Sequence, residues 1–368
     1  MAAFDLEQYL AQGVRHILTG LTAAAGKNIK TAAFLARFAP AAQSAKHRRA
    51  QLAAAGEHIP PFLIASITEQ CNLHCRGCYA RAGGVCCDGG ANDVLTAAQW
   101  ADLFTQAAEL GVSFILLAGG EPLLRQDVLA AAAREKRIIF PVFTNGTLFS
   151  PDACALFLQN RNLMPVLSLE GDAAATDARR GSGVYHRLQD AMALLHKNGV
   201  LFGASITVTQ ENLTAILAED FLRALHAAGC RAVIYVEYVP VTQESEPLAL
   251  TDADRATLEA RLTQLRAAQR ELLLVSFPGD EKSSGGCLAA GRGFFHINPR
   301  GGAEPCPFSP YSDTNLTQVP LRQALRSPLF RRLQEQGYLT QAHTGGCVLF
   351  PHADEVAALA QGREICRE

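Results

Sequence analysis

Neither sign of charge predominates in this sequence: 33 Lys and Arg stand against 35 Asp and Glu, for a formal net charge of −2. That balance gives no electrostatic footprint for a polyanion, so binding along a nucleic-acid backbone is excluded as the main activity. Long apolar runs are missing too. None reaches the length that spans a bilayer, and the N-terminus lacks the charged-then-apolar layout of a signal peptide. The expected location is therefore the cytoplasm. A reducing compartment removes the disulfide reading of the eleven cysteines and leaves metal ligation as the better account of them. The glycine fingerprint of a dinucleotide-binding fold is absent as well. Apolar residues are not scarce: at 49% of 368 residues they can fill a well-buried core, in one large domain with a smaller one appended.

Residues 1 to about 58 have helical period. Leu6, Leu10, Val14, Ile17, Leu18 and Leu21 recur on one face, and Phe34, Leu35 and Phe38 continue an apolar stripe before Pro40. Lys27, Lys30, Arg37, Lys46, Arg48 and Arg49 make this segment basic. Such a helix can lie on a membrane surface, but packing against the body of the protein is the favoured expectation. Pro60-Pro61 then delivers the chain into a first strand.

From residue 62 to about 240, short apolar strands alternate with amphipathic helices, the pattern of a parallel sheet. The strand candidates are 62–68, 113–118, 139–144, 164–169, 202–208 and 232–239. Helices are expected near 96–110, 125–135, 151–158, 184–199 and 214–228, with Thr96 and Gln99 as a capping box. Six such units predict an incomplete (β/α)6 barrel, in which chemistry gathers at the C-terminal ends of the strands. Polar and glycine residues fall there: Gly119-Gly120-Glu121-Pro122, Asn145-Gly146, Ser168-Leu169-Glu170-Gly171, Ser205 and the Tyr235–Val239 segment.

The first strand runs into Cys71-Asn72-Leu73-His74-Cys75-Arg76-Gly77-Cys78. Three thiols at spacings of four and three can surround one soft metal centre. A 4Fe–4S cluster held by three cysteines keeps one iron open, whereas a zinc site would need a fourth ligand, for which His74 is the local candidate. Three reduced cysteines in a loop are the plain alternative.

The Cys71/Cys75/Cys78 spacing, followed about forty residues later by Gly119-Gly120-Glu121-Pro122, resembles the radical S-adenosylmethionine (SAM) enzymes over residues 62 to about 240. The resemblance implies a TIM-like partial barrel and a 4Fe–4S cluster on Cys71, Cys75 and Cys78, with SAM chelating the open iron. Reduction would cleave SAM to a 5′-deoxyadenosyl radical that takes a hydrogen atom from substrate. It further implies that Glu121 with Gly119 and Gly120 meets the methionine amino group, and that Arg180 meets its carboxylate. Ser168 would approach the ribose and Gly77 the adenine, with Asn145, Glu170 and Ser205 completing the pocket. Relatives more often carry Asp at the position of Glu170.

The C-terminal third reads as a helix near 252–268, a strand over 271–277, a loop over 278–286, Cys287, and a hairpin turning at Arg300-Gly301-Gly302. Cys306, a helix near 318–336 and Gly345-Gly346-Cys347 follow. This resembles the auxiliary-cluster appendage of the SPASM and twitch subfamilies. The resemblance implies one further 4Fe–4S cluster on Cys287, Cys306 and Cys347, with Cys366 as the leading fourth ligand or an iron left open. The central run of closely spaced cysteines that holds another cluster in full SPASM domains is absent. Cys86 and Cys87 are expected as exposed loop thiols, and Cys154 and Cys230 as small core residues on helices.

The expected organisation is a helical extension (1–60), a radical SAM partial barrel (61–245) and a small α+β cluster-binding domain (246–368). The expected activity is radical oxidation or cross-linking of a peptide, with flavodoxin or ferredoxin as reductant. A lipid or other hydrophobic substrate is the alternative, and an iron–sulfur or zinc carrier or sensor is the alternative outside enzymes. Tyr235, Glu237 and Tyr238 are candidates to line the substrate cavity, although alternation lets only one set point inward.

Overall fold

The computed structural model describes residues 29–89, 93–269, 271–340 and 346–362. Nine strands form one sheet: β1 (Phe62–Ser66), β2 (Phe114–Ala118), β3 (Phe140–Thr144), β4 (Leu163–Leu169), β5 (Phe202–Val208), β6 (Cys230–Glu237), β7 (Leu273–Phe277), β8 (His296–Ile297) and β9 (Ala303–Glu304). Their order is β7-β6-β5-β4-β3-β2-β1-β8-β9. Strands β1 to β7 pair in parallel, β8 joins β1 in parallel, and β9 turns back antiparallel on β8. The result is the open, partial barrel that the alternation of strands and helices predicts, six units long and extended at both edges.

Helices cover the outer face of the sheet. Ala97–Leu110 begins on the Thr96–Gln99 capping box and buries Trp100, Leu103, Phe104 and Ala107. Opposite them the strands contribute Leu117, Val142, Leu167, Ile206, Val233 and Leu274, all buried. Each such aliphatic side chain contributes on the order of 2 kcal/mol by leaving water. Alternation puts Ser168, Thr207, Ile234 and Val236, less fully covered, on the inner face. Tyr235 faces the helices, where its hydroxyl donates to the Ile216 carbonyl at 3.2 Å. It is therefore a core residue and not part of a cavity wall.

Several boundaries differ from the expectation. A single helix, Ile29–Ala54, passes through Pro40, and the apolar positions 6–21 lie outside the described residues. This helix packs on the body: Arg48 donates to the Glu109 carbonyl (2.8 Å), Arg49 donates to Ser113 Oγ (3.2 Å), and the Phe38 ring lies 6.3 Å from that of Phe114. No helix among the described residues is long and apolar enough to cross a membrane. The stretch near 318–336 is two helices, Leu321–Ala324 and Pro328–Glu335, because Pro328 favours the first turn of a new helix that Ser327 caps. Likewise 214–228 divides into Leu213–Ile216 and Glu219–Ala227. Cys230 opens β6 and does not lie on a helix. The sheet also runs across the expected boundary at 245, since β7 continues it beyond β6 and β8 reaches back to β1.

Candidate active site

The three cysteines sit on a loop that is laced to three other elements. At its root, Gln70 pairs with Cys87, Cys71 N–H donates to the Cys87 carbonyl (3.1 Å), and Cys87 N–H donates to the Glu69 carbonyl (2.9 Å). Arg81 closes the loop from inside. Its guanidinium donates to the carbonyls of Leu73 (2.9 Å) and Cys71 (3.1 Å) and to Asp88 (2.7 Å). Arg76 N–H donates to the Arg179 carbonyl at 2.8 Å, which fixes the loop to the end of the helix Ala173–Arg180. Asn72 is knotted to the end of β3: Asn145 Nδ2 donates to it (2.9 Å), and it donates to Thr147 Oγ1 (2.8 Å).

Glycines 119 and 120 show why this arrangement is tight. A Cβ on Gly119, whose φ is +129°, would lie 2.2 Å from the Thr68 carbonyl oxygen. One on Gly120 would lie 2.1 Å from that of Gln70. The close approach these glycines allow is between the end of β2 and the chain entering the cysteine loop. Gly120 N–H and Glu121 N–H complete it by donating to Thr68 and Gln70 (2.8 Å each).

Glu121 is buried, and both its oxygens accept from the chain itself: Oε1 from Leu123 N–H (3.0 Å) and Thr144 Oγ1 (2.7 Å), Oε2 from Asn145 N–H (2.8 Å). Burial outweighs these donors and pushes the carboxyl up to about 7. Glu121 thus pins the ends of β2 and β3 together, while its further lone-pair sites leave room for an ammonium group. Asn145 serves the same knot through Asn72 and Thr147.

Arg180 lies largely covered beside the cysteines, and Glu170, with the Cys75 and Cys78 sulfurs, holds its guanidinium in the charged form against burial. Burial raises the Cys75 thiol although Arg180 and Arg179 oppose the rise. Arg180 Nε (2.7 Å) and Arg179 (2.6 Å) both donate to Glu170 Oε1, while Glu170 Oε2 is buried without a partner. Glu170 therefore positions two cations next to the thiols. Ser168 on β4 registers against Ser205 on β5, facing the interior. Gly77, with φ +67°, is covered by the Tyr238 hydroxyl: a Cβ there would lie 2.3 Å from it. That hydroxyl is itself buried and has no hydrogen-bond partner.

Two expectations are corrected at this loop. Cys86 is buried, not exposed, and its thiol donates to the Cys71 sulfur, which drops to about 6 while Cys86 rises. His74 does not complete a zinc site with the cysteines; it pairs with Asp88 at 3.0 Å on the surface. Among the described residues no three His, Cys, Asp or Glu side chains close on a single-ion point. A multi-iron cluster, which offers each ligand its own corner, suits the thiols better than a lone ion.

In the C-terminal region Cys287, Cys306 and Cys347 are buried or nearly so and come within electrostatic reach of one another. Their positions are built by backbone. Cys287 N–H donates to the Leu339 carbonyl (2.8 Å), and Arg292 donates to the Cys287 carbonyl (2.5 Å). Cys306 lies just past the β8–β9 hairpin. Glu237, at the end of β6, pairs with Arg255 (3.2 Å) and accepts from the Gly346 N–H, so it steers the approach to Cys347 and does not line a cavity. Cys366 lies outside the described residues. The sequence did not single out Arg81, Asn72 or Glu281. None has a spacing signal, because each reaches its site from another part of the fold or from a loop.

A close-packed glycine pair, a three-thiol loop at the end of β1 and a largely covered cation beside it, on a partial parallel barrel, define the class. Residues 65–217 match the family model described as "Radical SAM superfamily". A pre-heme d1 synthase of Dinoroseobacter shibae is 30% identical over 155 residues, 41% of this chain and 37% of that protein. A PqqA peptide cyclase of Granulibacter bethesdensis is 25% identical over 268 residues, 67% of this chain and 68% of that protein. Streptococcus suis SuiB bound to S-adenosylmethionine superposes with a TM-score of 0.65 at 19% identity, over 80% of this chain and 72% of that one. The first of these alignments thus spans well under half of the relative's own length. Members of the family use a 4Fe–4S cluster and SAM, and the donor set here fits both: three thiols for the cluster, a largely covered Arg180 for a carboxylate, and inward hydroxyls on β4 and β5.

Proposed function

We propose that the protein is a cytoplasmic radical SAM enzyme that oxidises or cross-links a peptide, drawing electrons from a flavodoxin- or ferredoxin-type donor. When bound, cluster and SAM together supply a 5′-deoxyadenosyl radical for hydrogen abstraction. In this reading Cys71, Cys75 and Cys78 hold the cluster, and Arg180, positioned by Glu170, takes the methionine carboxylate. Glu121 and the Gly119–Gly120 backbone face the amino group, Ser168 and Ser205 face the ribose, and Gly77 under Tyr238 borders the adenine. The same reading gives residues 246–368 a SPASM- or twitch-like role, with Cys287, Cys306 and Cys347 holding a second 4Fe–4S cluster.

The observation that carries the proposal is the convergence of three thiols with the largely covered Arg180 at the end of β1. The peptide assignment draws support from the peptide cyclase relative, which aligns with 67% of this chain. A second reading, a hydrophobic small molecule such as a porphyrin, draws support from the pre-heme d1 synthase relative. Anaerobically reconstituted protein, given SAM and a strong reductant, is expected to form 5′-deoxyadenosine, and Cys75→Ala is expected to form none. Equal yields from both would overturn the enzyme reading. Transfer of deuterium into 5′-deoxyadenosine from a labelled peptide, or from a labelled porphyrin instead, decides between the two substrates.

A further inference from the structure

The second cluster, as proposed above, has three cysteine ligands among the described residues and a fourth corner to account for. Glu281 stands at that corner. It lies on the 3₁₀ turn Gly279–Ser284, six positions before Cys287, and only 2% of it is exposed. Its carboxylate touches the Cys287 thiol and is within electrostatic reach of Cys306 and Cys347.

Buried carboxylates need partners, because an uncompensated charge away from water is costly. The others in this protein have them. Asp280, next in sequence, accepts from Arg266 (2.6 Å) and from Ser276 N–H (2.8 Å), and is turned to the opposite side of the chain. Glu237 pairs with Arg255, Glu69 with Arg300 (2.7 Å), and Glu304 accepts from His296 (2.7 Å) and Asn298 (2.6 Å). Glu281 accepts a long bond from Leu288 N–H at 3.3 Å and one from the Cys287 thiol, and its Oε1 is buried with no partner. Arg292 acts on it electrostatically, but the guanidinium donates to the carbonyls of Cys287 and Ser284 and makes no ion pair with the carboxylate. A carboxylate placed at the meeting point of three thiols, with one buried oxygen free and no direct ion pair, has the features of a ligand awaiting metal.

We propose that Glu281 is the fourth protein ligand of the C-terminal 4Fe–4S cluster, its free oxygen binding the iron that Cys287, Cys306 and Cys347 leave open. This rests on the second cluster being present. It makes that cluster closed, held by three thiolates and one carboxylate, with no iron free for substrate. No electron transfer is involved in the ligation; the carboxyl proton and the three thiol protons are released as the bonds to iron form.

The test uses the full chain with Cys71, Cys75 and Cys78 all changed to Ala, reconstituted anaerobically so that only the second cluster is observed. About four irons per chain are expected. With glutamate labelled at the side-chain carboxyl by the magnetic carbon isotope, pulsed EPR of the reduced cluster is expected to show hyperfine coupling to a carboxyl carbon. Glu281→Gln is expected to abolish that coupling, and Glu281→Cys to abolish it while keeping about four irons. Cys366→Ser is expected to leave both iron and coupling unchanged. A cluster without the coupling, a coupling that survives in Glu281→Cys, or loss of iron in Cys366→Ser would overturn the assignment of Glu281. Absence of iron from the triple variant itself would overturn the second cluster, and the assignment with it. Should Glu281→Gln fail to fold, the Cys variant alone decides.

Discussion

At the residue scale, Cys86 shows how a group outside the ligand set can act on it. Its thiol donates to the Cys71 sulfur instead of occupying a corner of its own. Cys86→Ala is therefore expected to bind as much iron as the parent, with the potential of the first cluster shifted downward, because a hydrogen bond to a ligand sulfur favours the more negative, reduced state. Iron analysis with a redox titration checks this, and a fall of about four irons per chain would instead make Cys86 a ligand. Glu121 gives a pH signature. Its carboxyl is raised by burial from the ordinary 4.5 to about 7, so the folded state holds its proton more tightly than the unfolded state. The contribution of Glu121 to stability in the absence of SAM is then fully present below about 4.5 and lost as pH rises to about 7, on the order of 3 kcal/mol. Thermal unfolding across that window should show the decline in the parent. In Glu121→Gln the decline should be shallower by that contribution, while one amide N–H now faces a backbone donor at a constant cost of about 1–3 kcal/mol.

At the scale of elements, the helix Ala173–Arg180 links the pocket to the cysteine loop. Its last turn supplies two arginines to Glu170 and the Arg179 carbonyl to Arg76. Glu170→Ala leaves two largely covered guanidiniums without their shared carboxylate, which should cost about 3–5 kcal/mol. The loss should appear as a lowered urea midpoint together with weaker iron retention at the first site. A normal midpoint would mean that the arginines find other partners. The carboxylate one methylene shorter, expected in relatives, would have to draw both arginines closer to make the same bridge.

At the scale of the whole molecule, the C-terminal region is part of the sheet. β7 covers the β6 edge, and β8 covers β1, the strand that carries the cysteine loop. Ser66 on β1 is hydrogen-bonded to His296 (2.8 Å), and Arg300 reaches Glu69, two residues before Cys71. A chain cut after residue 245 would bare two long strand edges, which are templates for aggregation. It should be recovered insoluble or lose its first cluster, as sedimentation and iron analysis of the truncated chain would show. A soluble fragment with about four irons would establish an independent barrel.

Much of this was legible in the chain itself. The period-two and period-3.6 patterns located six strands and their helices, since burial against a sheet imposes those periods. The spacing of Cys71, Cys75 and Cys78 carries the proposal of a metal loop because ligands close in sequence can meet without help from the rest of the fold. Tertiary structure alone decided what surrounds those ligands. It placed Cys86 on Cys71, turned Tyr235 toward the helices, closed Gly119 and Gly120 against the chain's own backbone, and set Glu281 among three cysteines from distant segments. Such contacts depend on where strands register and how helices dock, which is fixed by packing over the whole core and leaves no periodic trace in the sequence.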